Sequence, residues 1–329
     1  MQKKILKMTA LALFGIMTVS MLLYAPLSSS LALEGLNLWF SKMIPALLPF
    51  MILSGILIGL NLSDSFAGLF SPLLRPVFRL SDSCLYCVII GFLCGFPMGA
   101  RVCAQSYETG KISRKEASLL LAFCNNIGPV YFTGYVLRLF PVKNTGLVLT
   151  GMYGIPFLYG LLLRYTLYRT LPFPGGRLSG KGEKSSCRFN ILPEKKCRQN
   201  YRRQRAFGFP LGLFFAQLNA SILSALDSIT VLGGYMIFCN LLNLPLQLFL
   251  KDFPLLCNVL SPLLEITSGL SKLSQSQYLW AYIVLPFGGL SCIAQTYSCI
   301  RSTDLSLREY TFHKVIQTML TAAFYSVFL

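Results

Sequence analysis

Of the 329 residues, 54% are hydrophobic and 12% are charged, against roughly 25% charged in an ordinary soluble domain, so too few polar side chains remain to coat a globule. The formal net charge is +17, but the basic residues sit in loops and not on an aromatic-studded face, which argues against nucleic-acid binding. A soluble enzyme is excluded on these grounds, and a protein that works inside the bilayer is expected.

In chain order, apolar stretches occupy residues 5–33, 36–60, 84–104, 117–140, 145–171, 210–244, 279–300 and 310–329. Each is close to or beyond the roughly 20 residues that a helix needs to cross the hydrocarbon. The expected fold is all-α, a polytopic membrane protein of about eight hydrophobic segments, some of which need not cross fully. Lys3, Lys4 and Lys7 ahead of an apolar run, with Ser30-Leu31-Ala32 after it, resemble a secretory signal. The run continues from Met8 past Pro26 to Leu33, too long for such a signal, so residues 1–34 read as an uncleaved anchor. A basic run follows the fifth segment: Arg177, Lys181, Lys184, Arg188, Lys195, Lys196, Arg198, Arg202, Arg203 and Arg205, relieved only by Glu183 and Glu194. Short loops rich in Lys and Arg stay cytoplasmic, which places residues 172–209 and the N-terminus inside.

Eleven cysteines are scattered, mostly through apolar segments, where Cys packs as a small hydrophobe. Cys84 and Cys87 form a lone CxxC, and His313 is the single histidine, too little for a zinc site. No metal and no cofactor is expected.

The chain also appears written twice. Ser71-Pro72-Leu73-Leu74 through Ser81 returns as Ser261-Pro262-Leu263-Leu264 through Ser271, with six of eleven positions identical. Phe50-Met51-Ile52-Leu53 finds Tyr235-Met236-Ile237-Phe238 upstream, and Ile112-Ser113-Arg114-Lys115-Glu116 finds Leu305-Ser306-Leu307-Arg308-Glu309 downstream, in the same order. Residues 35–171 and 210–329 are therefore read as two repeats. With the basic loop inside they run in opposite senses, and inverted repeats build a site between them at the midplane. This topology puts Arg101, Lys111, Arg114 and Lys115 outside, against the usual bias.

Both halves carry helix breakers at membrane depth: Gly91, Gly95, Pro97 and Gly99; Asn125, Asn126, Gly128 and Pro129; Ser268 and Gly269; Pro286, Gly288 and Gly289. Gly and Pro are ordinary in membrane helices one at a time. Four interruptions together are not, because non-helical backbone survives there only when buried in protein or lining a wet cavity. Intramembrane carboxylates sharpen the signal, since ionised side chains are costly there. Glu265, followed by Thr267, Ser268 and Gly269, is equipped to hold a cation, take up a proton or bond a ligand; the alternative is an ion pair with Arg101 or another buried base. Asp227 falls in register with Lys42, so it reads equally as an ion-coupling residue or as a structural pair across the repeats. Asn125 and Asn126 supply amides where a helix should break, either as interhelical glue or as solute contacts. Gln295 and Gln105 are weaker cases of the same kind. No Walker loop, GxSxG or HExxH is present, so nothing points to catalysis.

Gly35-Leu36-Asn37-Leu38-Trp39-Phe40, Ile44-Pro45-Ala46-Leu47-Leu48-Pro49-Phe50, Gly91-Phe92-Leu93-Cys94-Gly95-Phe96-Pro97-Met98-Gly99-Ala100, Thr109-Gly110-Lys111-Ile112-Ser113 and Asn125-Asn126-Ile127-Gly128-Pro129 resemble the YlbJ-type sporulation integral membrane proteins of the nucleoside-recognition (Gate) family. Leu264 through Gly269 and Phe287 through Ser291, with Ala294-Gln295, extend the likeness into the second half. The resemblance implies a cytoplasmic-membrane protein of spore-forming bacteria, linked to cortex formation, with a transporter-like body. The expected site then comprises Glu265, Thr267, Ser268, Gly269, Asn125, Asn126, Gly95, Pro97, Gly99 and Gln295. It would take a nucleoside or other small polar solute, coupled to a proton or sodium through Glu265 or Asp227. The lipid bilayer is the expected partner, and association into a homo-oligomer is left open. The competing expectation is a non-transporting scaffold for spore-envelope assembly that docks through its basic loop, with its charge on protein or on anionic lipid.

Overall fold

The computed structural model describes residues 2–171 and 211–329. The basic loop 172–209, with the docking role read into it, lies outside the described residues, as do the side chains of Lys3 and Lys4. Every regular element among the described residues is helical.

Four helices are long and apolar enough to cross a membrane: Ala25–Gly59, Thr145–Tyr165, Leu211–Phe249 and Gln275–Ile300. The pair Ser71–Phe78 and Asp82–Cys94, bent by 104°, makes a fifth if it is one broken span. Four or five candidate spans among the described residues thus stand where about eight segments were expected. Breakers account for part of the difference, because the apolar stretch 84–104 divides into Asp82–Cys94 and Met98–Glu108, and 117–140 divides after Arg114–Cys124. The last stretch lies in Leu307–Phe328, which turns His313, Lys314, Gln317 and Thr321 into the protein and so loses apolar character.

At the N-terminal side, Gln2–Leu23 is followed by Ala25–Leu38, which carries Pro26 in its first turn, where a missing amide proton costs nothing. That helix passes through a π turn at Trp39–Met43 into Ile44–Gly59, so position 35, where the first repeat was drawn to begin, lies mid-helix. The Trp39 ring occupies the space beside Gly233, and its Nε1 donates to the Ile229 carbonyl at 2.8 Å. This seats Ala25–Gly59 along the long apolar helix Leu211–Leu241.

The interruptions have individual causes. Gly95 adopts φ 82 and ψ −169, a conformation that is essentially glycine-only, and an added Cβ would meet the Gly128 nitrogen at 2.2 Å. The first break is thereby pressed against the second, Asn125–Gly128. The third break falls at Glu265, four residues ahead of the expected Gly269. Glu265 is extended (φ −137, ψ 116) between Pro254–Leu264 and Ile266–Ser271, and its carboxylate caps the new helix. Ser268 and Gly269 are helical, and Gly269 is needed for closeness instead of flexibility, since a Cβ there would reach Pro262 at 2.3 Å. The fourth break ends at Gly288 and Gly289, both with positive φ. Gly91 and Gly99, expected to interrupt, lie within helices and lean on the Cys124 carbonyl.

Met98–Glu108 and Gly289–Ile300 pack against each other. Each starts at a break and carries a matching tetrad, Ala104-Gln105-Ser106-Tyr107 and Ala294-Gln295-Thr296-Tyr297. Each leads through a short loop to a helix capped by serine, where Ser113 accepts from the Glu116 nitrogen and Ser306 from the Glu309 nitrogen. The two Ser-Pro-Leu-Leu stretches are less alike, because Ser71 opens a helix whereas Ser261 sits near the end of one.

Candidate functional site

The breaks converge. Gly95 touches Gly128, a Cβ on Gly288 would meet the Phe96 ring at 3.2 Å, and one on Gly289 would meet the Pro262 carbonyl at 2.8 Å and the Ile266 nitrogen at 3.4 Å. Between them is a cavity of about 50 Å³, room for about four waters. Cys94, Phe96, Gly128, Tyr131, Glu265, Thr267, Cys292 and Gln295 line it from the breaks and from the helices that start at them, and Leu47, Phe50, Leu232 and Met236 close it from the two long helices.

Residues 40–139 match the Gate nucleoside-recognition family. This Gate segment contains the first two breaks, while the other two come from chain beyond it. The protein is also 26% identical to the sporulation integral membrane protein YlbJ of Bacillus subtilis (strain 168) over 352 residues, covering 94% of this chain and 80% of that relative. No solved structure matches the chain. The apolar spans and this relative support a membrane protein, in which residues 40–139 match the Gate family.

Within the cavity, Glu265 is 1% exposed and its Oε2 accepts from the Ser268 nitrogen at 2.7 Å. The ion pairs among the described residues are Arg75–Asp82, Arg114–Asp304 and Lys272–Glu34, so no cation neutralises Glu265. Arg101, the partner that sequence offered, instead donates Nη2 to Ser224 Oγ at 2.8 Å. Thr267 holds Tyr135 through its carbonyl at 3.0 Å. Gln295 is buried at the cavity wall, and no group among the described residues is hydrogen-bonded to its side-chain amide; Ser298 donates to its backbone carbonyl. The Tyr131 hydroxyl is buried, with no hydrogen-bond partner among the described residues. One carboxylate, one side-chain amide and one free hydroxyl thus border an apolar space, which is the chemistry of a site for a small solute with donor and acceptor groups.

Other expected residues stand behind the cavity. Asn125 of the Gate segment donates to Thr296 Oγ1 at 2.9 Å and to the Tyr310 hydroxyl at 3.1 Å, and accepts from the Ala100 nitrogen at 3.3 Å. Asn126 donates to the Phe123 carbonyl at 2.6 Å and accepts from Lys314 at 2.9 Å. Both are committed to protein partners, as interhelical glue. Ser268 donates to Asn240 Oδ1 at 2.8 Å. Gly95, Gly99 and Gly269 allow close backbone approach, and neither they nor Pro97 border the space themselves. Asp227 is exposed and away from the cavity, and it makes no ion pair with Lys42, which is exposed as well.

Sequence reasoning passed over Lys314, fully buried in the last helix, although the rule that singled out Glu265, a lone charge among apolar residues, applies to it equally. Tyr131 and Asn240 carry no such signal, since hydroxyls and amides are common along membrane helices.

Proposed function

We propose that the protein is a multi-pass, permease-like protein of the bacterial cytoplasmic membrane, associated with sporulation and with cortex formation. Its midplane site binds a nucleoside or other small polar solute between two inverted halves, residues 35–171 and 210–329, behind an anchor at 1–34. The loop 172–209 and the N-terminus are cytoplasmic. The observation that carries this reading is the meeting of four chain breaks, two from each half, at one cavity bordered by Glu265, Thr267 and Gln295. Irregular backbone that is enclosed by protein at this depth needs a polar or wet interior to justify it. The paired tetrads and serine-capped helices support a duplicated plan, and the sporulation role is carried over from the relative's name.

A cavity of about 50 Å³ is smaller than the roughly 300 Å³ or more that encloses a drug-sized ligand. Loading therefore requires side chains such as Phe50 and Phe96 to part, which fits a gated permease. Uptake into proteoliposomes tests the reading: labelled nucleosides and other small polar solutes are offered with an imposed proton or sodium gradient. Accumulation of one solute class supports it, and the absence of flux for all of them sinks it.

A further inference from the structure

Lys314 is 0% exposed and faces no carboxylate, since none of the ion pairs among the described residues includes it. Its Nζ donates to Asn126 Oδ1 at 2.9 Å and Gln317 Oε1 at 3.0 Å. It also lies over two ring faces, 5.1 Å from the Phe96 centroid and 5.9 Å from that of Tyr310. Both amides are fixed in orientation by what they do with their other ends. Asn126 Nδ2 donates to the Phe123 carbonyl and Gln317 Nε2 to the Ala122 carbonyl, each at 2.6 Å, which turns both amide oxygens to the ammonium. Those two carbonyls belong to the last turn of Arg114–Cys124, where carbonyls without helical donors take side-chain ones and leave a partial negative charge that favours a cation. Two amide oxygens, two aromatic faces and a helix C-terminus, with no anion, form a cation site built from dipoles.

From this geometry we infer that the Lys314 ammonium is a resident cation, filling an internal cation site at the interrupted end of Arg114–Cys124 so that no sodium ion is needed there. Phe96 ties the site to the cavity, since its ring lies against Nζ and the residue also lines the cavity. The inference rests on the proposed permease reading only for its consequence, that this place contributes no sodium coupling. The occupancy itself is independent of transport.

Thermal unfolding of the purified full-length chain in detergent, in sodium chloride against choline chloride of equal ionic strength, decides the matter. The wild-type difference in melting temperature between the two salts is the baseline, which includes any sodium held at Glu265. Lys314→Ala, extracted in sodium chloride and then exchanged, is expected to melt several degrees lower in choline and to regain part of the loss in sodium. Should Lys314→Ala fail to fold, Lys314→Ser, which leaves a smaller hole with an added oxygen ligand, takes its place with the same expected salt preference. A sodium preference no greater in Lys314→Ala than in the wild type overturns the inference. So does a variant that melts identically in both salts, because a lysine serving only as packing leaves no vacancy for an ion. Neither result depends on whether any solute crosses the membrane, so failure of the uptake assay and failure of this inference remain distinguishable.

Discussion

Asn126 accepts from Lys314 at 2.9 Å across 188 positions of chain. The contact ties the second break of the Gate segment to the last helix of the protein, so the two portions complete one another's polar groups. Asn125, its neighbour, does the same through Thr296 and Tyr310. The cavity is therefore held open by interhelical bonds behind it, while the residues facing it are left partly unbonded. That division yields separate expectations for wall and face.

Asn125→Ala should destabilise without altering solute affinity in the fraction that folds. It strands the Ala100 nitrogen and removes the bonds to Thr296 and Tyr310, and an unsatisfied buried group costs about 1–3 kcal/mol. Thermal unfolding in detergent measures the first effect and equilibrium binding the second.

Gln295→Ala should do the reverse. Its amide makes no hydrogen bond among the described residues, and the side chain faces the cavity, so its removal leaves the melting temperature nearly unchanged. Affinity for a solute that passes the uptake assay should fall by about tenfold, the loss of one direct hydrogen bond of about 1.4 kcal/mol. A large fall in melting temperature with unchanged affinity would place Gln295 in the framework instead.

Gly95→Ala is expected to abolish the native fold. The residue sits in a glycine-only backbone region at a cost of at least about 1–3 kcal/mol for any other residue, and its new Cβ would strike the Gly128 backbone, which cannot yield as a flexible side chain would. Loss of a monodisperse peak on detergent gel filtration checks this, with Gly134→Ala, whose added Cβ meets nothing within 4 Å, as the tolerated control.

Glu265→Gln separates the two functional readings. The permease reading expects loss of uptake and of sporulation in a complementation assay, with the protein still inserted, because Gln keeps an oxygen able to cap Ile266–Ser271. Deleting residues 177–205 should leave sporulation intact on that reading and abolish it on the scaffold reading. Normal sporulation with Glu265→Gln, together with its loss on deletion, decides for the scaffold.

Composition and residue order alone determine the class of this protein. Residues this apolar require lipid, and glycine, proline and asparagine at Gly95, Pro97, Asn125, Gly128 and Gly288 marked where helices would stop, because those constraints act within one or two residues of the backbone. Length was less legible: an apolar stretch does not reveal whether it spans, bends or folds back, which depends on what packs beside it, as the 104° bend between Ser71–Phe78 and Asp82–Cys94 shows. The shift of the third break from Gly269 to Glu265 was hidden for the same reason, since Gly269 answers to Pro262, a neighbour through the turn of backbone between two helices. Only the tertiary structure separated Glu265 and Gln295, which face the cavity, from Asn125 and Asn126, which brace it. Side-chain type states what a group is able to bond, but which partner takes the bond is settled when distant helices meet.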